Sequence, residues 1–253
     1  MHKCIYTVLT CDPRWAQWET VRHYAETCLR TLSKEHSDCT LICAWHGDQG
    51  EIAKLLRSSF DGAIQLVPIS DEDYERGVDT YKIKAMLACP WRAGDAIVVL
   101  DLDTLVVGDL FGSFQYGFDL AFTQRADWHP IYPINLGYVA MRWNARSRSF
   151  LNNWVRELVN PQMPGFQQFM DAAKEAGSHE HCRDQDFICH ALRSAMCVPT
   201  LIAVLPAEYN WFPLAEDDVE AYRRALRSGG CKLIHFRGPE KSLAWKLVEE
   251  FGL

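Results

Sequence analysis

The sequence predicts an α/β protein built on a mostly parallel sheet with helices on its faces. Two observations lead there. Residues 4–69 alternate short apolar runs with segments of helical periodicity, in the order strand, helix, strand, helix, strand. Such an order favours right-handed crossovers and a doubly wound parallel sheet. The second is the run Ile97–Val98–Val99–Leu100–Asp101–Leu102–Asp103–Thr104–Leu105–Val106, apolar and rich in β-branched residues. A continuous run of that kind reads as a strand buried on both faces.

Residues 4–10 form the first expected strand, broken by Cys11–Asp12–Pro13. Residues 15–32 place Trp18, Val21, Ala25, Leu29 and Leu32 at helical spacing. A second strand over 40–45 closes at His46–Gly47–Asp48, a helix covers 51–60, and a third strand covers 64–69. A helix over 81–89 stops at Pro90, because proline cannot donate to the helical ladder. The 97–106 strand follows, then strands over 118–123 and 136–142. Helices are expected over 146–159, 166–176 and 184–194, the first two ended by Asn160–Pro161 and Gly177. A helix over 216–226 has acidic residues in its first turn and ends at Ser228–Gly229–Gly230. A short strand over 232–236 and a helix from about Leu243 complete the chain. No repeat, low-complexity tract or linker interrupts this pattern, so residues 1–253 read as a single domain.

Hydrophobic residues make up 48% of the 253 residues, enough for a sizeable core. A net charge of −7 argues against a surface that coats nucleic acid, so an anionic substrate needs a local basic pocket. Ten cysteines raise the question of a disulfide framework. Cys4, Cys28, Cys43, Cys89 and Cys231 lie in or beside apolar segments, where cysteine behaves as a small hydrophobe. Met1–His2–Lys3–Cys4 has no leader pattern, and no apolar stretch is long enough to span a bilayer. The expectation is a cytoplasmic protein with reduced thiols and no transmembrane segment.

Asp101 and Asp103 cannot sit unpaired within a buried strand, since desolvating a carboxylate costs several kcal/mol. They are expected at its C-terminal end, where open α/β sheets place their ligand crevice. Two hard oxygen donors there suit Mg²⁺ or Mn²⁺, and such an ion implies a phosphate-bearing substrate. Alone, the pair reads equally well as a solvated turn. Around it stand Lys84 in Tyr81–Lys82–Ile83–Lys84–Ala85–Met86, then Asn135–Leu136–Gly137, Asp184–Gln185–Asp186 and Leu205–Pro206–Ala207–Glu208–Tyr209–Asn210. His235–Phe236–Arg237–Gly238–Pro239–Glu240–Lys241 closes the series.

This ordered set resembles glycosyltransferase family eight, the retaining GT-A enzymes that include glycogenin and bacterial lipopolysaccharide glucosyl- and galactosyltransferases. The resemblance covers nearly the whole chain. It implies a single GT-A domain with a Rossmann-like, mostly parallel sheet, and a hexose transferred from a UDP-sugar to a glycan, lipid-linked or protein acceptor. It implies Mn²⁺, or Mg²⁺, on Asp101, Asp103 and His235. Lys84, Asn135, Gly238 and Lys241 correspond to donor-binding positions, with Asp12 at the nucleoside. Asp184 and Gln185 correspond to the pair beside the reacting sugar. The chain departs from the family at Leu136, where a smaller residue is usual, and at Ser242–Leu243–Ala244, which separates Lys241 from Trp245.

The chemistry is coherent without the family. A divalent ion across two phosphates stabilises the departing diphosphate, and Lys84 and Lys241 add fixed positive charge. Two other functions share features with the chain. Haloacid-dehalogenase-type phosphatases also carry Asp-x-Asp after an apolar strand, although usually on the first strand. A non-catalytic binder of nucleotide sugars would keep the same pocket. His179–Glu180–His181–Cys182 with Cys189–His190 offers zinc-type ligands, but at spacings that match no common structural site.

Overall fold

A computed structural model describes residues 1–11, 18–125, 133–175, 183–193, 199–213, 218–236, 241 and 243–253; the side chains of Asp79, Ala173, Arg183 and Asp184 are outside this set. The first half of the chain runs β1 (Lys3–Cys11), α1 (Trp18–His36), β2 (Thr40–Gly47), α2 (Gln49–Ser59), β3 (Ala63–Pro68), α3 (Asp71–Glu75), α4 (Val78–Ala88), β4 (Ala96–Leu100), β5 (Thr104–Val106) and β6 (Leu120–Gln124). It continues through β7 (Ile134–Arg142), α5 (Ala145–Val159), α6 (Phe166–Glu175), α7 (Arg183–Arg193), β8 (Ile202–Leu205), α8 (Val219–Ser228), β9 (Leu233–His235) and α9 (Ala244–Phe251).

Among the described residues, seven strands form the main sheet in the order β3-β2-β1-β4-β7-β6-β8, and β5 pairs with β9 in a second, two-stranded sheet. The main sheet is parallel except for β7, which runs antiparallel to β4 and β6. Side chains alternate between its two faces. Tyr6, Ile42, Ile97 and Val99 pack towards the face that includes Met86, Leu151 and Trp154 of α4 and α5. Ile5, Leu41, Cys43 and Val98 pack towards the opposite face, against Leu29 and Leu32 of α1 and Leu56 of α2. A third cluster joins Leu105 and Ile234 of the small sheet to Tyr222 of α8 and Leu247 of α9.

The 97–106 run is two strands rather than one. β4 ends at Leu100, and β5 begins at Thr104 in the other sheet. The cause is the acid pair itself: a carboxylate cannot follow Leu100 into the core, so the chain turns out of the sheet at Asp101. The Thr104 hydroxyl donates to the Asp101 carbonyl at 2.7 Å and closes that turn. Two further elements were not legible in the sequence. Ser70 accepts from Asp73 N–H and caps the short α3, and β8 adds to the sheet edge beside β6. Helix α1 also runs on to His36, past the expected end at residue 32.

The eight described cysteines are buried, and no disulfide joins any two of them. Burial pushes the Cys28 and Cys43 thiols up to about 12. Among the described residues, no helix is long and apolar enough to cross a membrane.

Candidate active site

The acid pair sits where the two sheets meet. Asp101 N–H donates to the Gly137 carbonyl of β7 at 3.1 Å, and Phe236 N–H donates to the Asp103 carbonyl at 2.9 Å. The turn is therefore pinned by the main sheet on one side and the small sheet on the other. Antiparallel pairing sets Thr104 opposite His235, which brings an imidazole 132 residues downstream, by position number, to the side of Asp103. Ligand atoms of Asp101, Asp103 and His235 lie within 4.8 Å of one another.

Charge converges on the same point. His235 Nε2 lies 3.4 Å from Asp103 Oδ1, and Lys241 Nζ lies 2.8 Å from Asp103 Oδ2. Lys82 Nζ, from α4, donates to Asp101 Oδ1 at 2.6 Å. Burial would raise the Asp103 carboxyl, but His235 and Lys241 outweigh it and hold the group well below the usual carboxylate range. Burial alone would likewise lower Lys241, yet the Asp103 carboxylate raises it above the ordinary lysine value. Two carboxylates and an imidazole at this spacing form a donor set compatible with a divalent ion.

Gly137 allows the imidazole to approach β7. A Cβ there would stand 2.5 Å from His235 Nδ1 and 2.7 Å from its Cε1. Beside it, Gly137 N–H donates to Asn135 Oδ1 at 2.7 Å. Asn210 Nδ2 donates to the same oxygen, while Asn210 Oδ1 lies 3.1 Å from His235 Nδ1. A groove of about 250 Å³ opens next to the acids, lined by Val8, Leu9, Thr10, Val21, Tyr24 and Leu102. The Lys241 ammonium lies 5.5 Å from the Tyr24 ring centre.

Of the residues singled out in the sequence, Asp101, Asp103, His235 and Lys241 come together here, with Asn135 immediately behind them. Lys84 takes a different position from the one expected: its ammonium pairs with Asp73 of α3, and Lys82 reaches the acids instead. Residues two positions apart on a helix differ by about 200° in direction, so only one of the two lysines can face the sheet edge. Gln185 Nε2 donates to the Ile134 carbonyl at 2.6 Å, which ties α7 to β7 one residue before Asn135. Asp12, Gly238 and the Asp184 side chain lie outside the described residues, as does the 179–182 stretch of the zinc-type set. His190, from the same set, is hydrogen-bonded through Nε2 to the Pro164 carbonyl at 3.1 Å.

Sequence reasoning missed Lys82 and Asn210. Asn210 had one usable signal, its place at the end of the Leu205–Asn210 motif.

No protein-family model and no curated protein sequence matches the chain. Solved structures do. Mouse xyloside xylosyltransferase 1 in its apo form superposes with a TM-score of 0.57 at 16% identity, over 93% of this chain and 97% of that one. The galactosyltransferase LgtC, in complex with donor and acceptor sugar analogs, gives 0.56 at 14% identity over 98% and 95%. The glycosyltransferase GlyE of Streptococcus pneumoniae gives 0.58 at 12% identity over 97% of this chain, which spans 59% of that structure. At these identities the likeness establishes the fold, which is that of GT-A glycosyltransferases.

Proposed function

We propose that the protein is a metal-dependent, retaining glycosyltransferase of the family-eight type. In this reading it moves glucose or galactose from a UDP-sugar to a glycan, lipid-linked or protein acceptor, and residues 1–253 act as one catalytic domain. One observation carries it: the small sheet delivers His235 and the nearby Lys241 to the acid pair that ends β4. A fold shared with three glycosyltransferases agrees with it. Buried thiols without a disulfide among the described residues support a reducing, cytoplasmic setting.

Asp101, Asp103 and His235 would hold Mn²⁺ or Mg²⁺, which supplies Lewis-acid stabilisation to the departing diphosphate. Lys241 and Lys82 then serve as fixed cations on either side, their orientation set by Asp103 and Asp101 before any substrate arrives. The groove beside Tyr24 and Thr10 offers an apolar wall to the nucleoside, and Asp12 and Gly238 extend the donor site in this reading. Asn135 and Asp184 are assigned to the sugar hydroxyls. Gln185 is a neutral amide and a poor nucleophile, which favours attack of the acceptor from the leaving group's own face, with a diphosphate oxygen taking the proton.

The test is UDP release from UDP-glucose and UDP-galactose with Mn²⁺ over a panel of acceptors, with the anomeric configuration of the product read by NMR. Metal-dependent release and retained configuration are expected. Release of phosphate from an aryl phosphate, unchanged in His235→Ala, would point to a phosphatase and overturn the proposal.

A further inference from the structure

The hydrogen bonds behind His235 determine which of its nitrogens carries a proton. Gly137 N–H is a backbone donor, so the Asn135 atom that receives it at 2.7 Å is the carbonyl oxygen Oδ1. An oxygen can only accept, so the Asn210 atom that meets it is the amide nitrogen Nδ2. The other end of the Asn210 amide is then its oxygen, 3.1 Å from His235 Nδ1. That oxygen also only accepts, so His235 Nδ1 must carry hydrogen. Nε2 remains on the side of Asp103, at 3.4 Å.

We infer that Asn210 is a positioning residue that holds His235 in its Nδ1–H form, so that the lone pair of the neutral ring lies on Nε2 beside the acid pair. This rests on the metal reading above and extends it to the residues behind the ligand. Neutral histidine free in water prefers the opposite form, with hydrogen on Nε2, so the relay works against the intrinsic preference of the ring. Metal-binding histidines are commonly oriented by a partner on their second nitrogen, and loss of that partner costs about 10–100-fold in metal affinity. Here a backbone N–H of β7 dictates both amide orientations and, through them, the imidazole. Asn210 is fully buried and Asn135 half-buried, so water has little opportunity to replace Asn210 in the relay. Gly137 belongs to the same device twice: it supplies the N–H, and its missing side chain leaves room for the ring.

The test uses the full chain with selectively ¹⁵N-labelled histidine, metal-free and at a pH where the ring is neutral. Nitrogen shifts of His235 are expected to show a protonated, pyrrole-like Nδ1 and a pyridine-like Nε2. A pyridine-like Nδ1 overturns the inference, whether or not the protein proves to be a glycosyltransferase. Mn²⁺ affinity, from the EPR signal of free Mn²⁺, supplies the second readout. Asn210→Leu should weaken Mn²⁺ binding about 10–100-fold. Asn210→Asp keeps an acceptor for Nδ1–H but loses the donor to Asn135 Oδ1, so its affinity should fall between those of wild type and Asn210→Leu. Equal affinity in wild type and Asn210→Leu would overturn the relay. No Mn²⁺ binding in wild type would sink the metal reading, while the nitrogen shifts still decide the proton's position.

Discussion

Replacing Gly137 with alanine probes the junction of the two sheets with a single methyl group. The added Cβ would stand 2.5 Å from His235 Nδ1, 2.7 Å from its Cε1 and 3.1 Å from Asn210 Nδ2. Ordinary contact begins near 3.5 Å, so the ring must retreat by roughly 1 Å. The backbone of residue 137 has little room to yield, because its N–H is held by Asn135 and its carbonyl by Asp101 N–H. His235 is tethered as well, its backbone N–H by the Trp211 carbonyl at 2.8 Å and its ring Nδ1 by Asn210 Oδ1 at 3.1 Å. Overpacking of this kind costs about 1–3 kcal/mol. For a domain of this size that corresponds to a melting temperature lower by about 2–12 °C. A ligand displaced by ~1 Å costs on the order of 10²-fold in rate. Thermal unfolding and UDP release measured on the same preparation check both figures. A variant with wild-type melting temperature and wild-type rate would show that His235 does not depend on the gap at residue 137.

Lys241→Ala should slow transfer by about 10²-fold, as loss of a preorganised charge does, with the melting temperature within a few degrees of wild type. Lys82→Met should lower the rate at least about 10-fold, whereas Lys84→Met removes only a partly exposed pair with Asp73 and should change stability by about 0–1 kcal/mol and leave the rate intact. Comparable rates for the two lysine variants would contradict the placement of α4. The depressed Asp103 carboxyl also predicts a pH dependence of stability in the metal-free protein. Its native value lies below the ordinary 3.8, so the unfolded chain takes up the proton first. The stabilisation is therefore complete above about pH 4 and is lost as pH falls below it. Urea unfolding of wild type and Asp103→Asn at about pH 5 and about pH 3 should show a steeper loss in wild type; parallel losses would contradict this sign.

Much of the fold was legible because burial on both faces leaves a simple signature. β1, β2 and β4 carry near-continuous apolar runs, and α1, α2 and α5 carry one apolar stripe each. The break between β4 and β5 was harder to read, since Thr104, Leu105 and Val106 are as strand-like as the residues before the acids. What distinguishes them is a partner, β9, that lies far along the chain. β8 is a short edge strand with Val204 exposed and gave no alternation to detect. Within the candidate site, Asp101, Asp103, His235 and Lys241 stood out by residue type and order, and the structure brings them together. The choice between Lys82 and Lys84 depends on how α4 is rotated against the sheet, which its weak amphipathic pattern leaves open. Asn210 acts through contacts with residues 135 and 235, and such contacts exist only after the two sheets have met.

Linkage between UDP and Mn²⁺ tests the shared cation site most directly. If Asp101, Asp103 and His235 hold an ion that also grips the diphosphate, UDP should stabilise the protein far more with Mn²⁺ than with EDTA. At UDP about 100-fold above its dissociation constant the gain is about 2.7 kcal/mol, or roughly 5–11 °C in melting temperature. His235→Ala should lose most of that difference. An equal shift by UDP in EDTA and in Mn²⁺, unchanged in His235→Ala, would contradict a cation bridge between this site and the nucleotide.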